Sequence, residues 1–206
     1  MGSCRMPMLP PRWLNCPRMG DMILDIFIPF KTPLDSKFDH FMEPDHIFHV
    51  DDAFQSRNQY KLGLVVDLTK SRRFYNRREV SDMNCKYLKI ELVHSSSRFP
   101  LFDSILLYLC PLIGVHCTHG FNRTGFMIIA YLVEELNYGV DIAVRIFADA
   151  RPPGIYKADY LEDLFARYGS KEDCPPAPAL PNWCIGEFAS SHLILPVLQF
   201  SITISE

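Results

Sequence analysis

Cys117 and Arg123 stand six positions apart in HCTHGFNRTG, His116 to Gly125, between a short apolar run and a long apolar one. A thiol and a guanidinium at that spacing suit the capture and cleavage of a phosphate ester, with Gly120 and Gly125 placed where the backbone has to curl. Turned inward, the amides of Thr118, His119, Gly120, Phe121 and Asn122 form a nest for phosphoryl oxygens, and the N-terminus of the helix that follows adds partial positive charge. Arg123 at the helix entrance grips two oxygens through its fork. The same field favours thiolate at Cys117, since cysteines so placed typically have pKa values of about 3.5 to 7.5. The expected reaction is in-line attack of the sulfur on phosphorus and hydrolysis of the resulting phosphocysteine, with the Thr124 hydroxyl easing departure of the sulfur.

His116 ends the strand and is read as orienting the loop, while His119 lends its backbone amide. A zinc ion held by His116, Cys117 and His119 is the competing use. Adjacent positions do not converge on one tetrahedral ion, so no metal and no cofactor is expected.

The elements that position this loop follow from pattern. KLGLVVDL (Lys61 to Leu68), KYLKIEL (Lys86 to Leu92) and LIGVH, ending at His116, read as strands. FMIIAYLVEEL after the loop reads as a buried helix with a glycine stop at Gly139. Asp141 is expected to cap DIAVRIFADA, Pro152 and Pro153 to end it, and KADYLEDLFARY to form a last helix that stops at Gly169. Strands first and helices after predict an α/β fold with a central mixed or parallel sheet flanked by helices.

Composition bounds the rest. The 206 residues are 48% hydrophobic and 22% charged, the balance of one globular domain. With a formal net charge of -3, the chain can hold a polyanion only through a local cluster of Arg and Lys. Seven scattered cysteines, an odd number, point to a reducing compartment. The apolar runs Ile105 to Val115 and Leu193 to Ile204 are shorter than the ~20 residues of a membrane helix. Residues 1–9 read as a disordered lead-in, 10–170 as the domain, and 171–206 as a Pro-rich linker with a non-domain tail.

HCTHGFNRTGF, with PPRWLNCP near the start, VVDLT at Val65 to Thr69, ARPPGIYK at Ala150 to Lys157 and DYLEDLFARYG at Asp159 to Gly169, resembles the N-terminal RNA 5′-triphosphatase domain of animal mRNA capping enzymes. The resemblance implies the dual-specificity-like cysteine phosphatase fold, a nuclear location and removal of the γ-phosphate of nascent mRNA as the first step of capping. It implies 5′-triphosphate RNA as substrate and, through a full-length enzyme, the RNA polymerase II C-terminal tail as partner. Arg151 and Lys157 would lie near the phosphate chain, and Asp67 at the site mouth as a further catalytic residue.

Two departures stand out. Where the family has a polar loop and an amphipathic helix, residues 94–112 here are HSSSRFPLFDSILLYLCPL, shorter and strongly apolar. The guanylyltransferase Lys-x-Asp-Gly motif is not found, KADY at Lys157 having Tyr in place of Gly. Two alternatives remain open at this level: a dual-specificity phosphatase acting on phosphoproteins as well as RNA, and a catalytically impaired variant that binds RNA ends.

Overall fold

A computed structural model of the chain describes residues 8–55, 61–90 and 112–185. Four parallel strands form one sheet in the order β1-β4-β2-β3, with β1 Phe27–Lys31, β2 Leu64–Asp67, β3 Lys86–Lys89 and β4 Ile113–Cys117. β2 and β3 fall within the runs expected from sequence, and β4 runs one residue past its expected end at His116, to Cys117. Leu92 and the atypical segment 94–111 lie outside the described residues.

β1 has no counterpart among the expected strands. Its sequence, FIPFK, carries Pro29, which cannot donate to a ladder. The strand survives because it is the sheet edge beside β4 and needs its N–H groups on one side only. On its open side a short antiparallel bridge joins Met19 to Phe30.

Alternation along the strands divides the core in two, because successive side chains point to opposite faces. Phe27, Leu64, Val66, Ile113, Val115 and Cys117 face the helices α3 Asn122–Glu134, α4 Val140–Ala150 and α5 Ala158–Tyr168. Ile28, Phe30 and Val65 face the N-terminal region, meeting Trp13, Phe38 and Phe48. That region also holds two short helices, α1 Val50–Gln55 and α2 Arg77–Asp82.

Helix ends differ in detail from expectation. α3 stops at Glu134, and Gly139 is the N-cap of α4 rather than the stop of α3. Asp141 is therefore not a cap. It lies in the first turn of α4, where a carboxylate suits the helix dipole, and pairs loosely with Arg145 at 3.7 Å. Gly169 does close α5. No helix of the described residues is long and apolar enough to cross a membrane.

Candidate active site

The loop begins where β4 ends. Strand alternation turns Cys117 toward α3 and sends His116 to the opposite face. The chain then turns back into α3, whose first residue is Asn122. Gly120 makes the turn with φ +76°, and a Cβ there would meet the Phe30 carbonyl oxygen at 2.3 Å, so only glycine fits. Gly125 serves close approach instead, since a Cβ would sit 2.5 Å from the Phe147 ring.

Cys117 is 5% exposed. Burial alone would raise its thiol pKa; the Arg123 guanidinium outweighs this, with help from the Thr124 hydroxyl and the backbone N–H groups of His119 and Thr124, and the net shift is downward. Thr124 Oγ1 is buried and has no well-formed hydrogen bond, so its action on the sulfur is that of a nearby dipole. Arg123 is held by two bonds, Nη1 to the Leu68 carbonyl at 2.6 Å and Nη2 to Thr118 Oγ1 at 3.2 Å. Each Nη keeps a second hydrogen for a phosphoryl oxygen.

The histidines have separate partners. His116 is fully buried; its Nε2 accepts from Tyr75 OH at 2.7 Å and its Nδ1 faces the Cys117 carbonyl at 3.4 Å, so it carries its proton on Nδ1. His119 donates from Nε2 to the Pro11 carbonyl at 2.8 Å, and burial pushes its pKa down to about 4. The two rings and the thiol thus point to different partners and form no ligand set.

Asp67 is where sequence and structure part. Its carboxylate accepts from Thr69 N (2.8 Å), Thr69 Oγ1 (2.7 Å), Tyr87 OH (2.7 Å) and Lys89 Nζ (2.9 Å). Burial would raise its pKa, yet His116, Thr69, Lys89 and Tyr87 together hold it below the ordinary carboxyl value. Burial also pushes the His116 pKa down, leaving Lys89 as the cation that keeps Asp67 ionised. With four donors and no proton to give, Asp67 anchors the loop after β2. Asp67→Asn is expected to cost about 3 kcal/mol of stability while preserving the alkaline limb of the pH–rate profile, which loss of a general acid would remove. The stabilisation that Asp67 gives is present above the ordinary carboxyl value of 3.8 and is lost as pH falls through its lower folded value. Thermal melts across that range read it.

Arg151, expected beside the phosphate chain, is 2% exposed and lies behind the loop. Its Nη2 donates to the carbonyls of Pro17 (2.6 Å) and His119 (3.0 Å), and its guanidinium stacks 4.4 Å from the Phe121 ring centre. A trans peptide points its C=O and N–H in opposite directions. Pulling the His119 carbonyl outward therefore aims the Gly120 N–H into the nest. Arg151→Met is expected to lower kcat/KM by about 100-fold through this misplacement, with partial recovery in Arg151→Lys, as steady-state kinetics would measure.

Lys157 is exposed, and its backbone N–H reaches Asn122 Oδ1 at 3.1 Å, as does that of Tyr156 at 3.0 Å. Asn122 thus ties the ARPPGIYK stretch to the loop, and the structure records this backbone link for Lys157 rather than a side-chain contact. Phe121 is fully buried beneath Tyr156 and Trp183.

Several neighbours of the loop were given no role from sequence, because they come from distant segments. Cys16 Sγ donates to the His119 carbonyl at 3.4 Å. Buried Lys31 donates to the Trp13 carbonyl at 3.1 Å and sits 3.6 Å from the Trp13 ring centre, with its pKa lowered to about 8 by burial. Trp183 and Cys184, in the stretch expected to be linker, pack on the loop: the Trp183 ring lies 5.4 Å from His119, and Cys184 is 2% exposed.

Residues 49–168 match the family described as dual specificity phosphatase, catalytic domain. The mRNA-capping enzyme of Danio rerio is 45% identical over 190 residues, covering 86% of this chain and 32% of that protein; the one of Mus musculus is 44% identical over 188 residues. The chain thus spans about a third of the length of these relatives. The RNA/RNP complex-1-interacting phosphatase homolog of Caenorhabditis elegans is 33% identical over 174 residues, covering 76% of this chain and 75% of that protein. Among solved structures, Tk-PTP in its active form superposes with a TM-score of 0.52 at 14% identity over 71% of this chain and 94% of its own. Human DUSP28 does so with 0.50 at 10% identity over 74% and 93%; both likenesses speak for the fold. On its phosphate loop, its parallel sheet and the extent of this match, the chain belongs to the dual specificity phosphatase catalytic domain family.

Proposed function

We propose that the chain is a metal-independent polynucleotide 5′-triphosphatase that removes the γ-phosphate of nascent mRNA in the nucleus. The observation that carries the reading is Cys117 at the base of the loop with Arg123 across it, the guanidinium lowering the thiol pKa, in a chain 45% and 44% identical to two capping enzymes over most of its length.

Cys117 Sγ attacks the γ-phosphorus. The S–P bond forms as the bond to the bridging oxygen breaks, and that oxygen leaves with its electron pair on a diphosphate end. A diphosphate is stable as an anion, so the step requires no strong general acid, consistent with an Asp67 that has no proton to donate. Arg123 and the loop amides hold the equatorial oxygens as charge spreads over them. Water then attacks the phosphocysteine, and the sulfur leaves as the thiolate that the loop stabilises, with the Thr124 dipole beside it. The likeness to capping enzymes supports Lys157 as a contact for the phosphate chain, and contact with the polymerase tail belongs to a full-length enzyme.

RNA carrying a γ-labelled triphosphate, incubated with the chain in chelator, is expected to release labelled phosphate, and vanadate is expected to stop it. Release only on addition of magnesium would overturn the metal-free thiolate route. A second reading, a phosphatase of phosphoproteins, draws on the family itself; preference for a phosphotyrosine peptide over the RNA would select it.

A further inference from the structure

The phosphate loop accounts for the end of a substrate only, and a net charge of -3 gives the chain no general attraction for the remainder of a polyanion. One stretch departs from that balance. KSRRFYNRR, Lys70 to Arg78, holds five of the 21 Lys and Arg and no acid. All five cations, Lys70, Arg72, Arg73, Arg77 and Arg78, are exposed.

The stretch is braced along its length. Lys89 Nζ donates to the Ser71 carbonyl at 2.9 Å, and Phe74 and Tyr75 are buried beneath it. Asn76 starts α2 with a capping box, accepting from Arg78 N at 3.1 Å while its own N–H reaches Glu79 Oε1 at 2.9 Å. Arg77 and Arg78 are therefore presented from an ordered turn.

Beneath lies a cavity of about 620 Å³ walled by Arg72, Arg77, Lys37, Tyr87 and Lys89, a volume within the usual span for ligand sites. Its two acids are already matched: Asp35 pairs with Lys37 at 3.0 Å and Asp67 with Lys89 at 2.9 Å. Among the described residues that line the cavity, four cations, Lys37, Arg72, Arg77 and Lys89, face these two acids. The cavity reaches Asp67, and the next residue, Leu68, gives its carbonyl to Arg123 of the catalytic loop. Both open at the C-terminal edge of the sheet, where open parallel sheets bind ligands.

We propose that Lys70–Arg78 and the cavity below it bind the phosphodiester backbone of single-stranded RNA downstream of the 5′ end that the loop holds. The inference rests on the reading of RNA as substrate and assigns the contact that sets preference for a transcript over a free nucleotide. Backbone recognition fits because the exposed groups of the stretch are cations, while Phe74 and Tyr75, which also line the cavity, are only 7% and 8% exposed.

The test uses a fluorescein-labelled 5′-hydroxyl RNA of about ten nucleotides, which has no terminal phosphate to engage the loop, titrated by anisotropy between about 50 and 200 mM salt. Wild-type chain is expected to bind with affinity that falls as salt rises. The double variants Arg72→Gln/Arg73→Gln and Arg77→Gln/Arg78→Gln are each expected to weaken binding about tenfold and to flatten the salt slope by about 1.4, or about 0.7 per lost phosphate contact. Unchanged binding in both would overturn the proposal, as would displacement of the RNA by an acidic peptide at equal charge. All four positions are exposed; should a double variant still unfold, the wild-type salt slope and the peptide competition decide. Hydrolysis is read separately. RNA bound through these arginines but not hydrolysed would sink only the activity, and RNA hydrolysed without this binding would sink only the surface.

Discussion

Cys117→Ser is expected to reduce phosphate release by about 10⁴-fold or more while leaving the melting temperature within a degree or two of wild type. The loop lowers the pKa of a thiol whose ordinary value is 9.0, and a serine hydroxyl starts too far above that for the same field to ionise it. The fold has little reason to object. Cys117 is 5% exposed, and its sulfur sits among backbone N–H groups that a hydroxyl can use as donors. Single-turnover reactions with γ-labelled RNA make the distinction direct: wild type passes the label through a protein-bound species trapped on quenching, and the serine variant shows none. Turnover by the serine variant at a rate near wild type would end the covalent mechanism.

Arg123→Lys should be nearly as damaging, with kcat/KM lower by about 10³-fold, even though the charge is retained. The guanidinium spans Leu68 and Thr118 while presenting further hydrogens from both Nη atoms; an ammonium on a flexible stem does not span the same points. A second effect separates this from simple loss of binding. Arg123 is the largest influence lowering the Cys117 pKa, so displacing it raises that pKa, and less thiolate exists at any pH below the new value. The acid limb of the kcat/KM profile therefore moves to higher pH. An acid limb that stays in place would mean that the amides and Thr124 ionise the sulfur without help from Arg123.

The loop was legible in the sequence because its determinants are contiguous. Cys117, Gly120 and Arg123 lie within seven residues, and each answers a local demand of backbone or charge. β2, β3 and β4 were legible for the same reason, as apolar or alternating runs bounded by polar residues. Asp67 and Arg151 were misplaced because their roles depend on partners far along the chain: Lys89 and Tyr87 for one, Pro17 and His119 for the other. No spacing rule reports whether a carboxylate will be saturated with donors or a guanidinium turned inward. β1 was hidden by Pro29, whose acceptability depends on the strand being an edge. The basic stretch Lys70 to Arg78 was not singled out as a site, because its position beside the loop follows only from the arrangement of the strands.

The docking of Trp183 and Cys184 bears on where the domain can be cut. The family match stops at Tyr168, a tempting place to trim. A piece ended there would strip the indole from Phe121 and Tyr156, which it contacts at 5.3 and 6.1 Å between ring centres, and would wet the underside of the catalytic loop. Beginning at His49, the other limit of the match, would discard β1 and leave β4, the strand that carries the nucleophile, with one neighbour instead of two. A protease that clips between Tyr168 and Trp183 would thus be expected to release a body that still looks folded but handles phosphate poorly.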